Sequence, residues 1–352
     1  CSLLPPSAML PLRRRGEDQL LSGSEDGTGR LWDLERNRSI RCFLVRQERG
    51  DTEVEVSSVC SGTGDFEHLV GVAYENKISL FDVRDPALVS RKAAFAFNDV
   101  HFDDVNEIIM EGAIDRMAAG DDNGEIAVYD LRKPKLLRKI SPAHSNICSS
   151  ICFRRGTPWQ AVSAGLDGKV VHWNFNKIKQ LFCYVTTSSS SQNKNQMVNP
   201  RFPYCLSCQP SGNVVAAGLG DGNVVVLDIE GKSCLHEFEA ASNMISAVAW
   251  AEFGDSSRIL LSGGSDGVVT VTELSQPSSS RQPLDAFPEE MRESLLASMD
   301  TMAGSSSVQR GTRYHSHNCL TLKCTSQVNA IASLPNGSIF VGDQGPAILV
   351  FD

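Results

Sequence analysis

The chain has 352 residues, 41% of them hydrophobic and 21% charged, enough apolar material for a large core in one domain or a repeat array. A formal net charge of −9 gives no global basic field for nucleic acid or an anionic membrane. No apolar run approaches the roughly 18 residues of a transmembrane helix.

Cys1 stands where an initiator methionine would, so the chain reads as trimmed at its N-terminus. Eleven cysteines, an odd number scattered through strand-like runs, read as reduced thiols of an intracellular protein, cytoplasmic or nuclear. Cys1–Leu4 reads as the first strand of the first structural unit. After it, one form recurs seven times: an apolar run, a Gly/Asp/Asn turn, a second apolar run, and an aromatic or aliphatic residue before a polar one. The segments are Leu20–Leu34, Leu69–Val83, Met117–Leu131, Ala161–Phe175, Val214–Ile229, Ile259–Leu274 and Ile339–Asp352. Their markers (Asp33, Asp82, Asp130, Asn174, Asp228, Glu273 and Asp352) are spaced by 49, 48, 44, 54, 45 and 79 residues. All but the last step lie near the roughly 40–45 residues of a four-stranded propeller blade.

The expected fold is therefore all-β, a single seven-bladed propeller of four-stranded antiparallel blades over residues 1–352. A lone twisted sheet cannot bury both faces, so neighbours stack and the ring closes. Short residues in the second strands, Ala118-Ala119-Gly120 and Ala216-Ala217-Gly218, suit close packing of blade on blade. The chain ends at the third strand of blade seven, so an incomplete seventh blade is expected. Two insertions depart from the period. Residues 186–200 are polar and low in complexity, as in a mobile loop. Residues 275–327 should contain the outer strand of blade six, the first strand of blade seven, and a short helix over Pro288–Met302.

The most regular unit is the fourth. His144, Ser163, Asp167 and Trp173 follow the order in which a loop histidine bridges a turn aspartate and a strand hydroxyl, with the indole N–H as the last donor. On this set the chain resembles the WD-repeat family over almost its whole length. The resemblance implies a buried hydrogen-bonded tetrad rather than a catalytic triad. Other blades keep parts of it: Ser22, Asp26 and Trp32 in blade one, Asp221 with Leu227 in blade five, and Ser262, Asp266 and Thr272 in blade six.

Two repeats end alike, Phe81-Asp82-Val83-Arg84 and Tyr129-Asp130-Leu131-Arg132, each with a proline two residues on (Pro86, Pro134). An arginine just past a third strand offers a rigid fork for a partner's carboxylates or carbonyls. The bland alternative is a surface arginine paired with a nearby acid. The pattern resembles the signature by which WD-repeat propellers dock onto the triple-propeller adaptor of cullin-four ubiquitin ligases. The first repeat departs from it, ending in Glu35, and the second and third carry Phe81 and Tyr129 in place of tryptophan.

Other clusters have structural readings. Cys205-x-x-Cys208 falls in a predicted first strand without a second pair, and His315-x-His317-x-Cys319 with Cys324 would need a sharp fold-back to surround a metal. No metal or cofactor is expected. Arg13-Arg14-Arg15 reads as a solvated turn. Walker, Rossmann, HExxH and GxSxG patterns are absent, so the expectation is not an enzyme.

A narrower likeness joins this chain to one group of animal WD-repeat proteins. It rests on His144–Arg154, Gly165–Trp173, Asn199-Pro200, the polar insertion before that pair, the longer one before blade seven, and the sparse tryptophans. That group is associated with cullin-four ligase adaptors as candidate substrate receptors. The resemblance implies an adaptor at Arg84, Arg132, Asp82 and Asp130, an unknown protein substrate, and a monomeric chain. The alternative is a generic scaffold or peptide reader, histone tails included, which a ring mouth lined by acids would favour.

Overall fold

The computed structural model describes residues 6–12, 19–36, 38–45, 54–186, 200–251, 253, 258–275, 315–324, 326–333, 337–343 and 348–351. They form a seven-bladed β-propeller of antiparallel blades. Blade one runs Pro6–Leu12, Gln19–Ser24, Thr28–Asp33 and Arg38–Leu44. Blade two runs Val56–Ser61, Leu69–Tyr74, Lys77–Asp82 and Phe95–Phe97. Blade three runs Val105–Glu111, Arg116–Asp121, Ile126–Asp130 and Lys135–Ile140. Blade four runs Cys148–Phe153, Gln160–Gly165, Lys169–Asn174 and Lys179–Val185. Blades five and six open with Pro203–Cys208 and Ile245–Trp250 and have four strands each. Blade seven has three among the described residues: Val328–Ser333, Ile339–Asp343 and Ile348–Phe351.

The first strands line the centre. Each lies beside the next blade's first strand, and Val328–Ser333 lies beside Pro6–Leu12 to close the ring. Leu20 of blade one accordingly shares a core with Ala330, Ala332 and Phe340 of blade seven. Second strands are sandwiched between neighbouring blades, so Leu69–Tyr74 and Ile259–Gly264 are buried along their full length. A strand covered on both faces reads as an unbroken apolar and small-residue run. Gly120 shows why the residues are small: a Cβ there would lie 2.6 Å from the Cys148 Sγ of blade four.

Every first strand also carries a register shift after its first residue. In four blades the extra residue donates to the next blade's first strand. Asn106 Nδ2 donates to the Cys148 carbonyl at 3.3 Å and Ser149 Oγ to that of Pro203 at 2.7 Å. Ser57 and Ser246 do the same to Val105 and Val328. These bonds form a partial belt around the centre that ties blade two to three, three to four, four to five and six to seven.

The structure corrects two expectations. The first strand is Pro6–Leu12, and Cys1–Leu4 lie outside the described residues, as do Arg13-Arg14-Arg15. The long insertion separates the third and outer strands of blade six, Val268–Ser275 and His315–Lys323, while blade seven's first strand starts beyond it at Val328. Pro288–Met302 and residues 187–199 lie outside the described residues. Blade two's outer segment is also divided. Val89–Ser90 pairs parallel with blade one's outer strand, and only Phe95–Phe97 joins blade two. Among the described residues no helix is long and apolar enough to cross a membrane.

Candidate functional site

Arg84 and Arg132 each lie two residues past a third strand, at equivalent places on adjacent blades and on the ring face where the 3₁₀ turns Gly64–Phe66 and Gly112–Ile114 emerge. Their side chains are 64% and 58% exposed. Their surroundings differ. Arg84 folds back on Asp82, with Nη2 at 2.6 Å from Oδ2 and Nε at 2.9 Å from Oδ1. The guanidinium's hydrogen bond holds the Asp82 carboxyl below its usual range. Arg132 instead reaches Asp115, Nε to Oδ2 at 2.5 Å, and Asp65 of blade two, Nη2 to Oδ2 at 3.1 Å. Its guanidinium carbon lies 5.7 Å from the centre of the Phe66 ring. Asp130 caps the turn, accepting from the backbone N–H of Arg132 at 2.8 Å and of Lys133 at 3.0 Å. One arginine thus caps its own blade while the other joins two blades.

The opposite end of the ring carries the blade-four network. His144 Nδ1 lies 3.0 Å from Asp167 Oδ1, His144 Nε2 lies 2.7 Å from Ser163 Oγ, and Trp173 Nε1 donates to that oxygen at 2.8 Å. Burial holds the imidazole below its usual range, against the pull of Asp167. A neutral ring satisfies every atom: indole N–H to Ser163, Ser163 O–H to Nε2, and Nδ1–H to the carboxylate. Gly165 leaves room, since a Cβ there would sit 2.4 Å from His144 Nδ1.

Blade three holds a second network that sequence reading missed. His101 Nδ1 lies 2.6 Å from Asp121 Oδ2, and the Tyr129 hydroxyl lies 2.8 Å from His101 Nε2. Ala119 stands at the serine position, and the longer tyrosine spans the gap that serine and tryptophan bridge in blade four. The spacing hid it, because Asp121 ends the second strand whereas Asp167 sits in the following turn. Tyr129→Phe should leave a buried imidazole nitrogen without its donor and cost about 1–3 kcal/mol. Urea titration reads that loss, and an unchanged midpoint would remove the network's role.

The remaining blades use substitutes. In blade one Trp32 Nε1 donates to Ser22 Oγ at 2.8 Å, while Asp26 binds Arg30 at 2.7 Å. Blade five replaces the histidine pairing with Arg201 Nε to Asp221 Oδ2, 2.9 Å. In blade six Asp266 takes Ser242 Oγ at 2.6 Å, and the buried Ser262 hydroxyl has no partner among the described residues.

Acids crowd the ring mouth at this same end of blades one to three. Burial, then Glu25 and Asp104, raise the Glu55 carboxyl above its usual range. Burial, then Asp122, Asp103 and Glu75, raise that of Asp104. Beside them Phe102 is 84% exposed, with Lys139 Nζ 4.9 Å from its ring centre.

The metal-like clusters are placed differently. His315, His317 and Cys319 lie along one extended strand with Cys324 just beyond it. No group of three or more His, Cys, Asp and Glu residues among the described ones surrounds a metal position. Cys205 and Cys208 sit in blade five's first strand, where Cys208 Sγ lies 3.5 Å from the Gln209 carbonyl and packs in one apolar cluster with Cys152 of blade four. The ten described cysteines are free thiols.

Seven stacked blades around a closed centre, with histidine–aspartate networks tying loop to turn, define this chain as a seven-bladed β-propeller similar to those of WD-repeat proteins. Residues 157–253 match the family profile of the anaphase-promoting complex subunit 4 WD40 domain. The chain is 24% identical over 345 residues to the WD repeat-containing protein 53 homolog of Dictyostelium discoideum, covering 92% of this chain and 85% of that protein. Over 141 residues it is 27% and 26% identical to Gem-associated protein 5 of Mus musculus and Homo sapiens, which is 40% of this chain and 8% of each relative. Among solved structures it is similar to the WD40 β-propeller domain of Doa1 at a TM-score of 0.68. That likeness covers 99% of this chain and 93% of the other at 13% identity, a likeness of fold.

Proposed function

We propose that the chain works as one propeller domain, a non-catalytic scaffold that docks by its arginine face onto the triple-propeller adaptor of a cullin-four ubiquitin ligase. The acidic mouth at the other end remains open to a substrate protein. The supporting observation is the pair of half-exposed guanidiniums, Arg84 and Arg132, at equivalent positions of successive blades on one face. Asp82 orients one fork and Asp115 with Asp65 the other, so less side-chain freedom is lost when a partner binds. Purified adaptor should bind the wild-type chain and lose at least tenfold in affinity to the Arg84→Glu/Arg132→Glu variant, with the melting temperature of the variant preserved. Unchanged affinity would remove the proposal.

A second reading has its own support. The crowded carboxylates at Glu55 and Asp104 suit a lysine- or arginine-rich peptide, a histone tail among them, with no ligase involved. A basic peptide whose affinity falls with salt and with Asp104→Asn, but not with reversal of Arg84, would favour it.

A further inference from the structure

A cavity of about 140 Å³ lies between blades one and two, lined by neither the docking arginines nor the mouth carboxylates. Leu44, Val45, Phe81 and Ala93 form its apolar lining, and Tyr74, Ser79 and Arg91 are the lining residues with polar side chains. The divided segment of blade two crosses over it and is fastened at both ends. The Cys42 N–H donates to the Leu88 carbonyl at 2.9 Å and Arg41 Nη1 to that of Ala87 at 2.9 Å, while the Ala94 N–H donates to Leu80 at 2.8 Å. Arg91 is therefore carried on an anchored strap.

Counting hydrogens shows what the cavity lacks. The Tyr74 and Ser79 hydroxyls are buried and lie 3.3 Å apart, so one O–H serves the other oxygen. The second O–H has no acceptor among the described residues. Arg91 is exposed and forms no ion pair among them either, in a chain with 42 acidic and 33 basic residues. The site offers a spare O–H and a guanidinium with no carboxylate beside them, which an ionised carboxylate matches because it accepts on both oxygens.

Size sets the kind of ligand. Cavities for whole small molecules usually span about 300–1,000 Å³, whereas this one has room for a single side chain. On the strap around it Leu88, Val89 and Phe95 are 73%, 47% and 44% exposed, an apolar border for the residues flanking that side chain.

We propose that this inter-blade cavity receives an acidic side chain, a glutamate or aspartate of a partner's extended segment, held by Arg91 and the Tyr74–Ser79 hydroxyl pair. The site is separate from the docking and mouth readings and survives if either fails.

A randomised heptapeptide display library, selected against the full chain, tests it. Recovered peptides should share an acid flanked by apolar residues. Their affinity, by fluorescence anisotropy, should fall at least tenfold when the acid becomes glutamine and in the Arg91→Glu variant, and severalfold in Tyr74→Phe. Bound peptide should also protect Arg91 of the wild-type chain from phenylglyoxal, a readout that needs no variant. Glutarate alone should compete only at millimolar concentration. Failure to recover a binder, peptides without a shared acid, or affinities indifferent to Arg91 would overturn the proposal. So would glutarate binding as tightly as the peptides, which would make the cavity a small-molecule site.

Discussion

Replacing His144 with alanine is expected to destabilise the propeller by about 2–4 kcal/mol. The imidazole is the hinge of the blade-four network, so its loss removes one partner of the Asp167 carboxylate on one side and the acceptor of the Ser163 hydroxyl on the other. Ser163→Ala should cost a similar amount, because it orphans both His144 Nε2 and the Trp173 indole N–H. The two changes share one network and should not add. A double-mutant cycle by urea denaturation should return a coupling energy of at least about 1 kcal/mol, and strict additivity would mean that the four groups do not act as a unit. Blade six shows what the replacement demands elsewhere. Ala241 lies close to Gly264 as His144 lies to Gly165, and Asp266 turns to Ser242. Blade four has Ser145 at the matching place, already bonded to Asp167 through its N–H at 3.2 Å, so part of that carboxylate's demand survives the substitution. Burial depresses the His144 pKa in the folded state. The stability owed to its neutral form is therefore present above the unfolded value near 6.5 and lost as pH falls through the folded one.

The second large effect is expected at Glu107, on the first strand of blade three. Its Oε2 accepts from the Ile151 N–H of blade four at 2.7 Å, which places a carboxyl inside the belt around the ring's centre. Burial raises it from 4.5 to about 7, with the bonds from Ser150 and Ile151 acting the other way. A carboxyl raised on folding is easier to bury protonated. Stability is then highest below about 4.5, falls as pH rises towards 7, and levels off above it, a loss of about 3 kcal/mol. Glu107→Gln keeps an acceptor for the Ile151 N–H and removes the charge. Its melting temperature relative to wild type should be nearly unchanged at pH 4.5 and higher by several degrees at pH 8. A difference that does not vary with pH would show that the carboxyl does not titrate in this range.

Most of the architecture could be read from local pattern because each blade is a local object. Turn residues at Asp26-Gly27 and Asp167-Gly168 mark hairpins whose strands are neighbours in sequence, and both glycines hold a left-handed φ, 73° and 76°. Repetition of that hairpin at blade-length intervals then implies a ring. The blade-four set was legible for the same reason, since its four groups fall within one hairpin and the loop before it. His101, Asp121 and Tyr129 were not. A residue that replaces two others by being longer leaves no trace in spacing.

The arginines mark the boundary between local and distant information. Their places after the third strands follow from the repeat, and so does the capping of Arg84 by Asp82 two residues away. Nothing local brings Asp65 of blade two to Arg132 of blade three, or splits the segment before Phe97 between two sheets. Hydrophobic alternation and turn chemistry act over a few residues, and they were enough to decide most of the strands, the blade count and the order of blades around the ring. The side-chain belt, the inter-blade cavity and the Asp65 pair that helps aim Arg132 depend on how one blade tilts against the next. That tilt is set by long-range packing, and no short stretch of residues encodes it.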